Sequence, residues 1–407
     1  MTYTDRVFDL WTPEALANPH PILAEMREHA PVIRLDHQEQ SEYPWLLTRY
    51  DDAVSLLKDN TRFTKDLLRK PGAVFGADDP MAQAAMSINR HMLTVDPPDH
   101  TRLRGLVHKV FTPRMIRRLE GRIQQIADEL TERVLPAGKM DLMADYAVPL
   151  PVTVIADLLG VPHADQDKFR RWSQAVVLGS LEEGSDPEQV GIAALEFVFY
   201  FHDLFDQRRA EPQDDLISAL VQVEEDGDRL DQQELVSMVF LLLVAGHETT
   251  VNLIGNGMLA LLNHRDQMEL LAQKPDLITD AIEEMLRYDG PVGTSTLRWA
   301  LEDIELHGQT IPAGDMVLAS LLAANRDPSF VGQPNVFDIT REPGNHLAFG
   351  SGIHYCLGAP LARLEGAIAI NTLLRRFPRL ELAVNQRKLR YNRTILLHGM
   401  QAMPVRF

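Results

Sequence analysis

The chain has one cysteine in 407 residues, Cys356, and that scarcity excludes a good deal. No intramolecular disulfide can form, and there is no Cys-x-x-Cys pair for zinc or for thiol–disulfide exchange. A lone thiol also fits a reducing compartment better than an oxidising one. The sequence has no signal-peptide pattern and no uninterrupted apolar run long enough to cross a bilayer, and Met1–Trp11 carries Asp5, Arg6 and Asp9. The expectation is a cytoplasmic protein without a membrane span. No repeat, low-complexity tract or Gly/Ser-rich linker divides the chain. Positive charge is scarce as well: 40 Lys and Arg stand against 58 Asp and Glu, and the net charge of −18 argues against nucleic acid or an anionic membrane as a partner.

What is present is ample material for a core. Hydrophobic residues make up 45% of the chain and charged residues 24%, the balance of a soluble globule. The length admits two or three ordinary domains or one large one, and the expectation here is a single domain over 1–407. Helical patterns dominate, near Pro21–His29, Asp51–Leu57, Thr101–Leu135, Val152–Leu159, Ala164–Leu178, Pro187–Arg209, Leu277–Arg287 and Ala359–Phe377. Asp231 with Glu234 forms a capping box, after which helical sequence runs to about Asn263, roughly 33 residues or about 50 Å. Phe240–Val244 is apolar on every face, the mark of a buried helix. Strands gather in two places: Val32–Leu35 with Pro44–Thr48, then Ser295–Ala300, Ile304–Leu306, Gln309–Ile311 and Met316–Leu321, with His307-Gly308 as a tight turn. Ile395–Leu397 and Met403–Phe407 are expected to return as a hairpin. The fold class is mainly α with a small segregated β region.

A cysteine taken at random is most often an inert buried small hydrophobe. The surroundings of Cys356 point elsewhere. It lies in Phe349-Gly350-Ser351-Gly352-Ile353-His354-Tyr355-Cys356-Leu357-Gly358, where closely spaced glycines suit a backbone bent against something large and flat. The chemistry most in need of one thiolate in such a loop is axial ligation of haem iron. Without Cys-x-x-Cys-His the haem would not be covalently attached. This loop resembles the cysteine-ligand loop of cytochromes P450.

Other segments carry the resemblance through nearly the whole chain. Ala245-Gly246-His247-Glu248-Thr249-Thr250 interrupts the apolar long helix with poor helix formers. Read alone, it is either a local kink with back-bonded hydroxyls or a widened turn that sets an acid beside an alcohol. It is similar to the P450 oxygen-activation signature, and that likeness implies that Thr249 hydrogen-bonds the oxygen being activated while Glu248 relays protons from solvent. Glu284 and Arg287, three apart on a helix, resemble the family's buried Glu-x-x-Arg pair behind the cysteine loop, a structural role. Pro334-Asn-Val-Phe337 with Arg341 resembles the meander before that loop, and Asn325-Arg326-Asp327-Pro328 fits bacterial members. Asp96-Pro-Pro-Asp-His100-Thr-Arg-Leu-Arg104 places His100 and Arg104 on one helix face. The resemblance implies that these two, with Arg298 and His354, pair with the propionates of a non-covalent haem b.

The implied activity is a haem-thiolate monooxygenase that inserts one atom of O2 into a medium-sized lipophilic substrate. Electrons would come from a ferredoxin or flavodoxin-type donor with its reductase, because the Gly-x-Gly here opens onto a cysteine and not a βαβ nucleotide fold. The basic run Lys109, Arg114, Arg117 and Arg118 is either a solvated helix face or, by family likeness, part of the donor's docking face, with Arg363 a contributor. Candidate pocket lining comprises Phe75, Met81, Met86, Ile88, Met92, Val177, Leu178, Leu243, Val244, Val292, Thr294 and Leu396. A peroxide-driven peroxygenase and a non-enzymatic haem-thiolate sensor remain as rival readings.

Overall fold

The computed structural model describes residues 8–35, 43–72, 90–169, 171–172, 187–225 and 227–407. The chain divides into two compact units, one of Met1–Ala73, Ala127–Ala147 and Thr249–Phe407, the other of Val74–Ile126 and Val148–Glu248. The first unit holds the main sheet, whose strand order is Val32–Arg34, Trp45–Leu47, Met316–Ala319, Arg298–Ala300, Phe63–Thr64. Trp45–Leu47 runs parallel to Met316–Ala319, and the other neighbours are antiparallel. Val317, Ala319, Ala300 and Leu47 bury one face against Leu56 and Leu57 of the helix Tyr50–Lys58. Ile304–Leu306 and Gln309–Ile311 pair through His307-Gly308, whose φ values of 50° and 76° are those of a two-residue hairpin turn.

Several expectations change. The helix foreseen over Thr101–Leu135 is two, Asp99–Val110 and Pro113–Val134. Pro113 has no N–H to give the preceding helix, and the Thr112 hydroxyl accepts from the Met115 N–H at 3.3 Å to start the next. The hairpin foreseen at the C-terminus does not form. Pro404–Arg406 instead sits between Glu381–Leu382 and Lys139–Asp141 in a three-stranded antiparallel sheet, while Leu397 makes only an isolated bridge to Val292. Of Ser295–Ala300, only Arg298–Ala300 is strand. Of the helix expected over Ala164–Leu178, residues 166–169 and 171–172 are helical, and 170 and 173–178 lie outside the described residues. Short helices at Pro13–Ala17, Leu216–Gln222, Arg265–Gln273 and Leu321–Asn325 carried too little periodic sequence to be foreseen.

The long helix spans Gln232–Asn263, 32 residues, opened by the capping box: the Asp231 N–H donates to Glu234 at 3.0 Å and the Glu234 N–H to Asp231 at 2.8 Å. By length and mean hydropathy it could cross a membrane, but 67% of its most apolar stretch is buried inside the protein, as in a core helix. Its second half packs closely on its neighbours. A Cβ at Gly257 would lie 2.8 Å from Met285 Sδ and 3.3 Å from Ile370, so the helices Ile278–Asp289 and Ala359–Arg376 pack closely on this one.

Behind those helices lies a fully bonded ion pair. Arg287 donates Nε to Glu284 at 2.7 Å and Nη2 to Glu284 at 2.8 Å. Its remaining N–H groups reach the carbonyls of Asn325 (3.3 Å), Pro334 (2.9 Å) and Val336 (3.1 Å). Glu284 also accepts from the Asp338 N–H at 2.9 Å and from Arg341 at 3.3 Å. Both partners are buried, so the Glu-x-x-Arg pair is a core lock and not a surface bridge.

In the second unit an aromatic ladder of Phe169, Phe197, Phe201 and Phe205 forms the centre, with Phe197 edge-on to Phe240 at 5.9 Å. The buried pair Arg208–Asp215, at 2.6 Å, ties the helix Pro187–Ala210 to the start of Leu216–Gln222.

Candidate functional site

The cysteine loop is built backwards from the ion-pair lock. Asn325, whose carbonyl accepts from Arg287, turns its side-chain oxygen to the Leu347 N–H at 2.6 Å and so fixes where the loop begins. The loop then turns through Gly350 and Gly352, with φ of 72° and 71°, values that a side chain would strain. Gly352 is also pressed on the end of the helix Tyr50–Lys58: a Cβ there would stand 2.6 Å from the Leu57 carbonyl oxygen. A short 3-10 turn, Gly352–His354, follows, and the Cys356 N–H closes the loop on Phe349 O at 2.9 Å. Cys356 emerges exposed, two residues before the N-cap of the helix Ala359–Arg376.

A second cluster supports the loop from the side. Arg363 holds Glu283 with both ends of its fork, at 2.6 and 2.8 Å, and lies over the Phe349 ring with its Cζ 4.5 Å from the centroid. His346 contacts the same carboxylate at 3.1 Å. Burial would raise the Glu283 pKa, but the Arg363 and His346 hydrogen bonds overcome it and bring the group down to about 2. Arg363 was foreseen as a docking contributor. It pairs with Glu283 and lies on Phe349 while its side chain stays partly exposed.

The other foreseen residues fall as follows. In the first unit Arg298 is buried on its strand and donates to the Thr296 carbonyl at 3.1 Å. Lys65, a residue the sequence did not single out, is also buried and donates to the Thr296 hydroxyl, so two buried cations meet at Thr296. His354 lies in the cysteine loop, half-buried. Thr249 is half-buried on the long helix, and Val292, Thr294 and Leu396 lie in the adjoining segments 291–294 and 395–398. In the second unit His100 is buried and Arg104 half-buried, one turn apart on Asp99–Val110. Glu248 is buried beside His247 at 3.6 Å, and burial pushes the His247 imidazole down to about 4, so it stays neutral at pH 7. The helix runs unbroken through Ala245–Thr250. Met92 and Leu243 are buried and Val244 half-buried in this unit, whereas Phe75, Met81, Met86, Ile88, Val177 and Leu178 lie outside the described residues.

No group of three or more His, Cys, Asp or Glu among the described residues could hold a metal ion unaided. The donor set at Cys356 is one exposed sulfur on a rigid loop, with the buried cation Arg298 in the same unit. That set fits a group bringing its own equatorial ligands and carboxylates, which is haem b. The fold and this donor set fit a haem protein.

A family model described as Cytochrome P450 matches residues 193–403. The chain is 45% identical over 390 residues to the polyketide biosynthesis cytochrome P450 PksS of Bacillus subtilis (strain 168), covering 95% of each protein. It is 46% identical over 398 residues to the vitamin D(3) 25-hydroxylase of Pseudonocardia autotrophica, covering 98% of this chain and 96% of that one. Its structure is similar to that of myxobacterial CYP267B1 in complex with myristic acid, with a TM-score of 0.89, 48% identity and 98% of each chain covered. The chain belongs to the cytochrome P450 family, and it is a monooxygenase with haem b as its cofactor.

The Glu283 pair makes a testable statement about the loop. Arg363→Ala should lower stability by about 2 kcal/mol at pH 7, below the roughly 3–5 of a fully buried pair because Arg363 is partly exposed. Glu283 is the depressed case, so its contribution is complete above pH 4.5 and disappears as pH falls toward about 2. Urea unfolding at several pH values should show wild type and variant converging below pH 4.5. A gap independent of pH would mean that the pair is not the source.

Proposed function

We propose that Cys356 is the axial thiolate of this monooxygenase, that His100, Arg104, Arg298 and His354 receive the haem propionates, and that Glu248 and Thr249 manage the protons. The observation that carries the reading is an exposed lone cysteine on a loop fixed from three sides, by Asn325, Leu57 and Phe349. When bound, the haem supplies oxygen activation, with thiolate electron density favouring O–O cleavage. The chain's own part is to hold the sulfur in place, offer guanidinium forks to carboxylates, and deliver protons. Glu248 stands at the head of that relay, and the Thr249 hydroxyl, the next residue, passes a proton through one hydrogen bond or a shared water. This acid–alcohol pair favours the O2-driven reaction over a peroxide-driven one, and the presence of both over a sensor.

The substrate is read as a medium-sized lipophilic molecule. The names of similar proteins, which include a polyketide biosynthesis P450, a vitamin D(3) hydroxylase and a myristic acid complex, support that class without choosing within it. Candidate lining residues are Val292, Thr294 and Leu396, with Met92, Leu243 and Val244. The reading also takes 1–407 as one P450 domain in the cytoplasm, reduced by a ferredoxin or flavodoxin-type donor. Arg114 and Arg117 are exposed and make no side-chain ion pair among the described residues, whereas Arg118 is paired to Asp214 at 3.1 Å and Arg102 to Glu234 and Asp228.

Three measurements test this. Cys356→Ser should abolish the red-shifted absorbance of the reduced carbon-monoxide complex, and a persistent band would exclude Cys356 as ligand. Thr249→Ala should leave haem content and reduction intact while diverting O2 to hydrogen peroxide; unchanged coupling of electrons to product would assign proton delivery elsewhere. Lys109→Glu with Arg117→Glu should slow reduction by an acidic donor and flatten its salt dependence, with substrate binding unaltered. Unaltered reduction kinetics at low salt, where exposed charges are least screened, would return the run to a solvated helix face.

A further inference from the structure

The first unit contains a polar cluster, centred on Asp289, that no step above uses. Asp289 is the last residue of its helix, and its Oδ1 meets two imidazoles, His20 Nε2 at 2.8 Å and His398 Nε2 at 3.2 Å. His20 opens the helix His20–His29 near the N-terminus, and His398 lies near the C-terminus. One carboxylate oxygen thus ties three distant parts of the chain. Burial would raise the Asp289 pKa, but His398 and His20 hold it well below the usual carboxylate range, and burial pushes His20 down to about 4.

His398 is pinned by its backbone as well. Its N–H donates to Pro291 O at 2.9 Å, and its carbonyl accepts from Asn256 Nδ2 of the long helix at 2.9 Å. Asn256 also reaches the Asp289 carbonyl at 3.2 Å. Tyr391 stacks on the imidazole, with centroids 5.3 Å apart and planes 15° from parallel. Next to this anchor, segments 291–294 and 395–398 lie side by side: the Gly293 N–H donates to Leu396 O at 2.9 Å, and Val292 bridges to Leu397. Gly293 is required there, since a Cβ would sit 2.4 Å from the Ile395 carbonyl oxygen. A cavity of about 40 Å³ on one side of this wall is bordered by Thr294, Ile395 and Leu397 of the wall itself and by Leu23, Leu46 and Leu322, room for a few waters and too little for a lipophilic ligand. On that side the wall packs through Ile395 against Leu23, Leu46 and Leu322. Its register rests on hydrogen bonds, and a slip of one residue would exchange the faces of Leu396 and Leu397.

We propose that Asp289, held by His20 and His398, is a positioning residue for substrate: it fixes the register of 291–294 against 395–398 and thereby which carbon of a bound lipophilic chain is presented for oxidation. The inference rests on the reading that Leu396, on the opposite face from Thr294 and Leu397, faces the substrate. Asp289 touches no substrate and acts through the wall.

The test uses holoenzyme carrying Asp289→Asn or His20→Ala, the latter removing one donor and sparing His398. Amide hydrogen exchange should rise about tenfold in 291–294 and 395–398 and stay unchanged in 359–376, as expected when one local contact set opens more often. With myristic acid as probe, the spectral dissociation constant and the distribution of hydroxylated positions should both move. Unchanged exchange at the two segments in both variants overturns the proposal whatever the activity. Leu396→Ala separates the two layers of the argument. If it alters myristic acid binding while the Asp289 and His20 variants do not, the positioning role fails and the pocket lining stands. If exchange rises in the variants and neither they nor Leu396→Ala affect myristic acid, the lining assignment fails and the proposal with it. Where Asp289→Asn gives no holoenzyme, His20→Ala carries the same measurements.

Discussion

A buried guanidinium is tolerable only if each of its five N–H groups finds an acceptor, and Arg287 meets that demand completely. Two bonds go to Glu284, and the others collect carbonyls at 325, 334 and 336. The requirement to satisfy one charge thus gathers a helix, a turn and an otherwise irregular meander into one place. Asn325 passes the constraint on, since its carbonyl serves Arg287 while its side chain holds the first amide of the cysteine loop. The sulfur stands where it does because of a charge pair that does no chemistry.

The same economy of charge runs through the rest of the molecule. The chain is strongly acidic, yet Arg298 and Lys65 are buried around Thr296 in one unit, and His100 and Arg104 share a helix face in the other. Acid groups inside are equally placed. Glu283 braces the loop through Arg363 and His346, and Asp289 braces a pair of backbone segments through two histidines. Each is a case in which a partner overcomes the desolvation that would otherwise neutralise the carboxyl.

Much of this was legible in the sequence because it is local. Capping by Asp231 and Glu234, the glycines before Cys356, the turn at His307-Gly308 and the Glu284–Arg287 spacing are short-range signals whose geometry follows from a few residues. What escaped was non-local. Nothing near Pro404–Arg406 says that it will pair with Lys139–Asp141, so a hairpin with its nearest apolar neighbour was the natural expectation. Pro113 was a local signal that could have split the helix but was outweighed by the apolar periodicity on both sides of it. Lys65 and the pairing of His20 with Asp289 had no signal at all, since a lysine or histidine in mixed sequence reads as surface until the fold brings it a partner. Arg363, named as a docking contributor, gave no hint in the sequence that it also holds Glu283.

The contact between Gly352 and the Leu57 carbonyl has a consequence for the order in which the molecule is made. The seat for the cysteine loop lies on a helix, Tyr50–Lys58, that leaves the ribosome long before the loop is translated, and Tyr50 itself reaches across 295 residues to the Asn345 carbonyl. Contacts over such separations can close only once the intervening chain exists, and non-local contacts are slow to form. The early part of the chain must therefore keep its half of the seat while most of the protein is still being added. The Cys356 loop meets its seat only after the residues between the two have been added.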